Sequence, residues 1–396
     1  MGVSSGPMTP LSGLVVVDLS RHLPGPLLTR MLKDLGADVV KVEPPTGDPA
    51  RFMPPMHGDA GALYTSVNAG KRGLALNLKQ DAARQILLNI VKQADILVET
   101  FRPGVLDRLG LSPEKLFEAN PKLIICSVTG FGQDNPHRDR PGHDLNFTGR
   151  AGALNLIGPA DREPVTAGIQ VGDIAGGSMM GLSSILAALM ERGQTGQGRH
   201  LDISMTRGCL TFGHYGYLAN SASLMGDSRG STPLGGGAPC YRVYETSDGR
   251  FMTLGALEPK FFVAFCEAAG CGHLSSKGLD MGPGAKQVMD ELEAVFKSKT
   301  QAEWVSVLDG VDCCCEPVLT HEEAIKDPVV GSDSYDIDGV TCINSHFGAP
   351  VAEAWTARPD ALNDGRAVLE SFEISSELMD EAIRDGSLLL SPESSS

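Results

Sequence analysis

The sequence is short of positive charge: 33 lysines and arginines stand against 49 aspartates and glutamates in 396 residues, a formal net charge of −16. A nucleic-acid groove needs clustered basic side chains to neutralise phosphates, so nucleic acid is not an expected partner. A phosphorylated small ligand held by a few local cations remains open. Cysteine pairs with metal spacing are also missing. The nine cysteines are scattered, apart from Cys313, Cys314 and Cys315 in succession, and no CxxC occurs. A reducing compartment is the simplest reading. Successive side chains of a strand alternate faces and cannot easily share one metal, so structural burial is expected of the three thiols and no metal site is expected. No signal peptide or apolar run of about eighteen residues is evident, so neither secretion nor a membrane span is expected. An intracellular, cytoplasmic location is the default, with a peroxisome or mitochondrion open without a visible signal; SPESSS is not a peroxisomal SKL signal. MGVSSG has Gly6 where a myristoylation signal wants serine or threonine, and reads as a disordered start. No GxGxxG fingerprint is present, which speaks against an NAD-type pyrophosphate site.

What the chain does have is the content of a soluble globular protein, 42% hydrophobic and 21% charged, and enough length for two domains. LVVVDLS (14–20) reads as a buried parallel strand, LLTRMLKDLG as a helix stopped at Gly36, and ADVVKVEPP as a second strand stopped by prolines, a strand–helix–strand unit. Residues 46–66 read as a mobile loop. LALNL, ADILVET, PKLIICSVTGFG and RHLDISM read as further strands; residues 81–93, 174–191 and 206–224 read as helices. The Gly/Pro-dense run 228–240 marks a domain entry, followed by a hairpin around Asp248-Gly249 and helices over 285–297 and 301–309. The expected division is residues 1–225 and 335–396 for a large α/β domain and 226–334 for a smaller one.

The densest chemistry lies between Pro141 and Asp173. His143 opens a mostly apolar, nearly uncharged stretch and Asp173 closes it, each beside glycine, which lets backbone approach a ligand. Asp173 precedes IAGGSMMGLSSILAALMER and reads as the N-cap or first turn of a buried helix. On residues alone the two are a candidate acid/base pair, against the plainer reading of an N-cap and a turn.

GHDLNF (142–147) followed by GDIAGG (172–177) resembles the α-methylacyl-CoA racemases of the class III CoA-transferase (CaiB/BaiF) family. LSGLVVVDLSRHLPGP, LGADVVKVEPP, NAGKRGLALNLK, FRPGVLDRLGL, NPKLIICSVTGFGQ, TGQGRHLDISM, GGGAPCY and EWVSVLDGVDCCCEPVLT stand in the family's order, so the likeness spans about residues 11–330. The resemblance implies an α/β fold: a Rossmann-like large domain formed by N- and C-terminal segments, a smaller α+β domain, and an interlocked homodimer. It implies an isomerase that inverts the α-carbon of 2-methylacyl-CoA thioesters, with His143 and Asp173 as the two bases, Glu258 in LEPKFF orienting the histidine, and the backbone N–H of Asp144 binding the enolate oxygen. The side chain of Asp144 is expected to be structural. No metal or redox cofactor is expected, coenzyme A being part of the substrate.

Coenzyme A contacts are implied for Lys71 and Arg72 at its phosphates, Ala75, Leu76 and Asn77 at its adenine end, Arg102 at the diphosphate, and Gly142 and Asn146 beside the reacting centre. The plainer readings are a solvated basic turn for Lys71 and Arg72 and a structural salt bridge for Arg102. The alternatives are CoA transfer between carboxylic acids through an aspartyl anhydride at Asp173, epimerisation of another bulky activated acid or peptide, and a catalytically silent CoA-binding scaffold. His143 favours the racemase, because transferases of the family usually carry an aromatic or aliphatic residue there. Met53, Met56, Met179 and Met180 would suit a pliable acyl surface, or the core.

Overall fold

The structure, a computed structural model, describes residues 9–221, 229–330, 334–337, 339–343 and 358–391. The expected disordered start, the terminal serines and the end of the 206–224 helix lie outside these residues. The chain divides into two compact units. One takes the residues up to Arg150, Gln170–Thr211 and the described part of Ser332–Ser396; the other takes Ala151–Ile169 and Phe212–Gly331.

The first unit contains β1 (Val15–Asp18), α1 (Pro24–Asp34), β2 (Asp38–Glu43), β3 (Arg72–Leu76), α2 (Asp81–Val91), β4 (Ile96–Glu99), β5 (Ile124–Thr129) and α3 (Asp144–Arg150). These are followed by a long helix α4, π-wound over Val171–Met179 and α over Met180–Thr195, then β6 (Arg199–Ser204), α5 (Met205–Phe212), α6 (Gly365–Ser371) and β7 (Leu388–Leu389). The seven strands form one sheet in the order β7-β3-β2-β1-β4-β5-β6, parallel except for β7 against β3. Strand valines and isoleucines alternate between two cores, as a period of two demands. Val17, Val40, Leu97 and Ile125 face α2 and α6, and Val16, Val39, Ile96 and Ile124 face α1 and α4. Both faces are covered, which is why these strands read as continuous apolar runs.

Three expectations need correction here. Helix α1 starts at Pro24, three residues earlier than expected, because proline is tolerated in a first turn whose N–H groups have no intrahelical partner. Residues 46–66 are not a featureless loop: Tyr64, fully buried on a short helix (Ala62–Asn68), hydrogen-bonds through its hydroxyl to Glu43 Oε1 at 2.6 Å. The long helix, Val171–Thr195, is by length and composition apolar enough to cross a membrane, although no such run was expected. Gly181, Leu182, Ile185 and Ala188 form its buried face, and Leu182, Ile185 and Ala188 pack into the core beneath β5.

The second unit is a three-stranded antiparallel sheet with helices. Tyr241–Glu245 and Phe251–Gly255 pair as a hairpin around Asp248-Gly249, and Cys315–Pro317 adds the third strand. Its core is aromatic: Phe296 stacks on Tyr244 at 4.8 Å and on Phe265 at 5.2 Å, and Trp304 donates its indole N–H to the Phe296 carbonyl at 2.8 Å. Of the three successive thiols, Cys313 and Cys315 are buried as expected but Cys314 is exposed: only Cys315 lies on a strand, and Cys314, at φ 50 in the turn before it, projects to the surface. Residues 151–169 belong to this unit rather than to the first, since Tyr217 donates its hydroxyl to the Ala151 carbonyl and Arg229 binds the Pro159 carbonyl at 3.1 Å. The expected 206–224 helix breaks at Gly213 into α5 and His214–Ser221, and the division between units falls just before that break, between Thr211 and Phe212.

Candidate active site

In an open α/β sheet, ligands bind beyond the carboxyl ends of the strands, at the point where the strand order reverses. That point lies between β1 and β4. A cleft of about 490 Å³ opens there, lined by Arg21, His22 and Pro24 after β1, Thr100–Pro103 after β4, and Val128–Gly130 at the end of β5. The stretch Arg138–Asn146 closes one side, and Asp173 and Met205 complete the wall. His143, Gly142, Asn146, Arg102 and Asp173 are therefore brought together in one cleft.

His143 immediately precedes α3. Its carbonyl accepts the Asn146 N–H at 2.8 Å, and its own N–H donates to Asn146 Oδ1 at 3.0 Å, so the side chain three residues on secures the turn. The loop sits tightly on the sheet. A Cβ on Gly142 would fall 2.7 Å from the Phe147 ring and one on Gly130 2.3 Å from it, so both positions require glycine for this approach. Asp144 ties the two halves of the site together: its Oδ1 accepts the backbone N–H of Asp173 at 2.9 Å. Asp173 rides the π-wound start of α4. Burial is the main force on its carboxyl, the Asp144 carboxylate adds like-charge repulsion and His143 opposes both, with the result that its pKa is pushed up to about 6. The site thus holds an imidazole beside a carboxyl that exchanges protons near neutrality.

The other expected residues divide. Leu76 and Asn77 edge a second cavity of about 300 Å³ that shares Arg21 and Phe101 with the first, whereas Ala75 is buried within β3. Lys71 does not meet its expectation: its side chain is fully buried, and its ammonium donates to Asp18 Oδ2 at 2.9 Å, the Pro26 carbonyl at 2.9 Å and Asn68 Oδ1 at 2.8 Å. All three ammonium donors are spent inside the protein, leaving none for a phosphate. Arg72, at the amino end of β3, pairs with Asp38 at 2.5 Å and lies over the Phe372 ring, also away from the cleft's wall. Arg102 is exposed and has no ion pair among the described residues. Glu258 is an exposed residue at the N-cap of the second unit's Pro259–Ala268 helix, and its side chain does not cap it.

Sequence reasoning missed Arg21, His22, Arg138 and Arg140. A signal for the first two was available, since SRHLPGP is the loop directly after β1, where the fold rule places ligands. It also missed Glu99, whose buried carboxyl at the end of β4 is pushed up to about 7, although Ser127 and the Phe101 N–H, at 2.6 Å, hold it.

Residues 11–335 match the model of CoA-transferase family III. The chain belongs to that family. Its relatives in CoA-transferase family III include the human protein named alpha-methylacyl-CoA racemase, 36% identical over 80% of this chain and 79% of the relative. They also include the acetyl-CoA:oxalate CoA-transferase of Acetobacter aceti, 34% identical over 81% of this chain and 84% of the relative. Among solved structures, a CAIB/BAIF family protein from Brucella suis superposes with a TM-score of 0.79 at 29% identity, covering 92% of this chain and 100% of that one. The protein is thus an enzyme of CoA-transferase family III, with relatives named both as racemase and as CoA-transferase.

Proposed function

We propose that the protein is a racemase or epimerase of 2-methylacyl-CoA thioesters, working by two-base proton transfer. The observation that carries this reading is the presence of His143 and Asp173 in one cleft, with Asp173 poised near neutral pH. A thioester α-hydrogen has a pKa on the order of 20, far above either side chain, so its removal needs a stabilised enolate as well as a base. Inversion requires one group to take the proton from one face and a second group to return a proton to the other. Asp173, raised to about 6, is accessible in both protonation states near neutral pH, as inversion requires of a base that accepts a proton in one direction and delivers it in the other. The Asp144 N–H, in the first turn of α3, has no partner within the helix and is the proposed enolate donor, worth roughly 3–4 kcal/mol. Arg102 is the proposed contact for the coenzyme A diphosphate, and Leu76 and Asn77 for its adenine end. Glu258 is assigned, by resemblance to the racemases, the orienting of a histidine across a homodimer. Two side-chain bases suffice for this chemistry, so the reading calls for no metal or redox cofactor.

The names of the transferase relatives support a second reading, in which Asp173 attacks the thioester and CoA passes to a second carboxylate. Turnover of a 2-methylacyl-CoA in D2O separates the two. Racemisation predicts deuterium at the α-carbon together with epimerisation, both reduced at least 100-fold in His143→Ala and Asp173→Ala. CoA transfer to an added acid without exchange, dependent on Asp173 alone, would refute it.

A further inference from the structure

The cleft contains a third titratable side chain that two-base proton transfer does not use. His22 is one of three non-glycine residues with positive φ among those described, at φ 66. Backbone in this region is uncommon outside glycine and persists when the surroundings over-determine it. Here they do. The His22 N–H donates to Asp48 Oδ1 at 3.3 Å, the Arg21 N–H donates to Thr100 Oγ1 at 2.9 Å, and the Ser20 carbonyl accepts from the buried Lys41 ammonium at 2.6 Å. Lys41 in turn pairs with Asp48 at 3.0 Å. Three consecutive residues are thus clamped from β2, from the loop after β4 and from the Asp48 turn, and the clamp leaves the imidazole open to the cleft that also holds His143 and Asp173.

Among the described residues the His22 imidazole has no hydrogen-bond partner. Burial holds its pKa below the ordinary histidine value, Asp48 opposes that, and the charge of His143 adds to it, so the ring is neutral at physiological pH. An imidazole nitrogen exposed in an open cleft exchanges its hydrogen bonds with bulk water. A bound thioester would displace that water, and a ring nitrogen covered by hydrocarbon would be left unsatisfied, the costly outcome for a polar group. The same wall carries Arg21, Arg138 and Arg140, and its one carboxylate is Asp173.

We infer that His22 is a specificity-determining residue that hydrogen-bonds the acyl group, and that the preferred substrate is an acyl-CoA whose chain carries a hydrogen-bonding oxygen, hydroxyl or carboxylate, rather than a plain hydrocarbon. This rests on the reading above that the cleft takes the acyl-CoA thioester.

The test compares three thioesters of similar chain length, 2-methylpentanoyl-CoA, its 5-hydroxy counterpart and 2-methylglutaryl-CoA, in wild type, His22→Gly and His22→Asn. Glycine removes the ring and adopts φ 66 without strain, so the loop is kept; asparagine tolerates the same φ and keeps a polar group. The expected result is a wild-type kcat/KM favouring the oxygenated chains, a preference lowered about tenfold in His22→Gly and partly kept in His22→Asn. A response confined to 2-methylglutaryl-CoA would identify carboxylate as the recognised oxygen; a response of both oxygenated chains would identify hydrogen bonding without charge. Equal preference in wild type and His22→Gly, or a wild-type preference for the hydrocarbon, overturns the assignment. Each sample is read both for α-deuterium exchange and for CoA transfer to free acid. A His22-dependent preference seen only in transfer would refute racemisation and leave His22 assigned, whereas exchange with no such preference would do the reverse.

Discussion

At the scale of single residues, the proposed chemistry rests on one carboxyl displaced from its usual range. Asp173 with a pKa of about 6 is mostly ionised at pH 7 and mostly protonated at pH 5. In the direction where it must deliver a proton, turnover should fall as pH rises through about 6; in the direction where it must accept one, turnover should rise through the same pH. Initial rates measured separately from each pure epimer between pH 5 and 8 check this, and identical profiles in the two directions would count against it. Lys71 illustrates the opposite lesson. NAGKRG reads as a basic approach to phosphate, but residue type does not say whether a charge is spent, and here Asp18 takes it. Burial pushes the Asp18 carboxyl up, yet Lys41 and Lys71 outweigh it and hold the pKa at about 2. The folded value lies below the unfolded one, so this stabilisation is present above about pH 4 and is lost as pH falls toward 2. Burial pulls the Lys71 ammonium down to about 7 against the pull of Asp18, and Lys41 still lies 3.9 Å from Asp18, so Lys71→Met should destabilise at neutral pH by less than the roughly 3 kcal/mol of a fully charged buried pair. Chemical denaturation checks the value, and a neutral or stabilised variant would mean that Lys71 is not paired as described.

At the scale of elements, the position of Asp173 depends on how closely α4 meets α5. A Cβ on Gly208 would fall 2.4 Å from the Gly176 Cα, and a Cβ on Gly176 would fall 2.6 Å from the Met205 carbonyl oxygen. The two helices touch backbone to backbone, with no flexible side chain to give way. Gly208→Ala should therefore force the π-wound segment outward, destabilising the fold by about 1–3 kcal/mol and lowering exchange activity more than tenfold. Thermal melts and α-hydrogen exchange measured together check it; full activity with an unchanged melt would show that the contact yields. IAGGSMMG was legible as the start of a helix because its pattern is local. The π winding and the crossing at Gly208 were not, since a contact between residues far apart in the chain leaves no periodicity in either segment.

At the scale of the whole molecule, the two units carry different parts of the proposed chemistry: His143 and Asp173 lie on the first and Glu258 on the second. If homodimer subunits share sites, His143→Ala mixed with Glu258→Ala after joint refolding should regain activity, because a mixed dimer holds one intact combination. About a quarter of wild-type activity is expected from random pairing. Sedimentation of the same samples should show a dimer, and a fully active monomer would end the proposal.

The α/β character of the chain, most of its strands and helices and the hairpin at Asp248-Gly249 were determined by the sequence alone, because each is written in local periodicity or turn chemistry, and the GHDLNF and GDIAGG motifs singled out His143 and Asp173 as a candidate pair. Tertiary structure alone decided which cations stay free to meet a ligand, that residues 151–169 join the second unit, and that His22 faces the cleft. Those outcomes depend on burial and on partners brought from distant parts of the chain: Asp18 takes Lys71 out of use, and Asp48 holds His22 in place. A charge or a ring has the same letter whether it is buried in a pair or open to a substrate, and only packing separates the two.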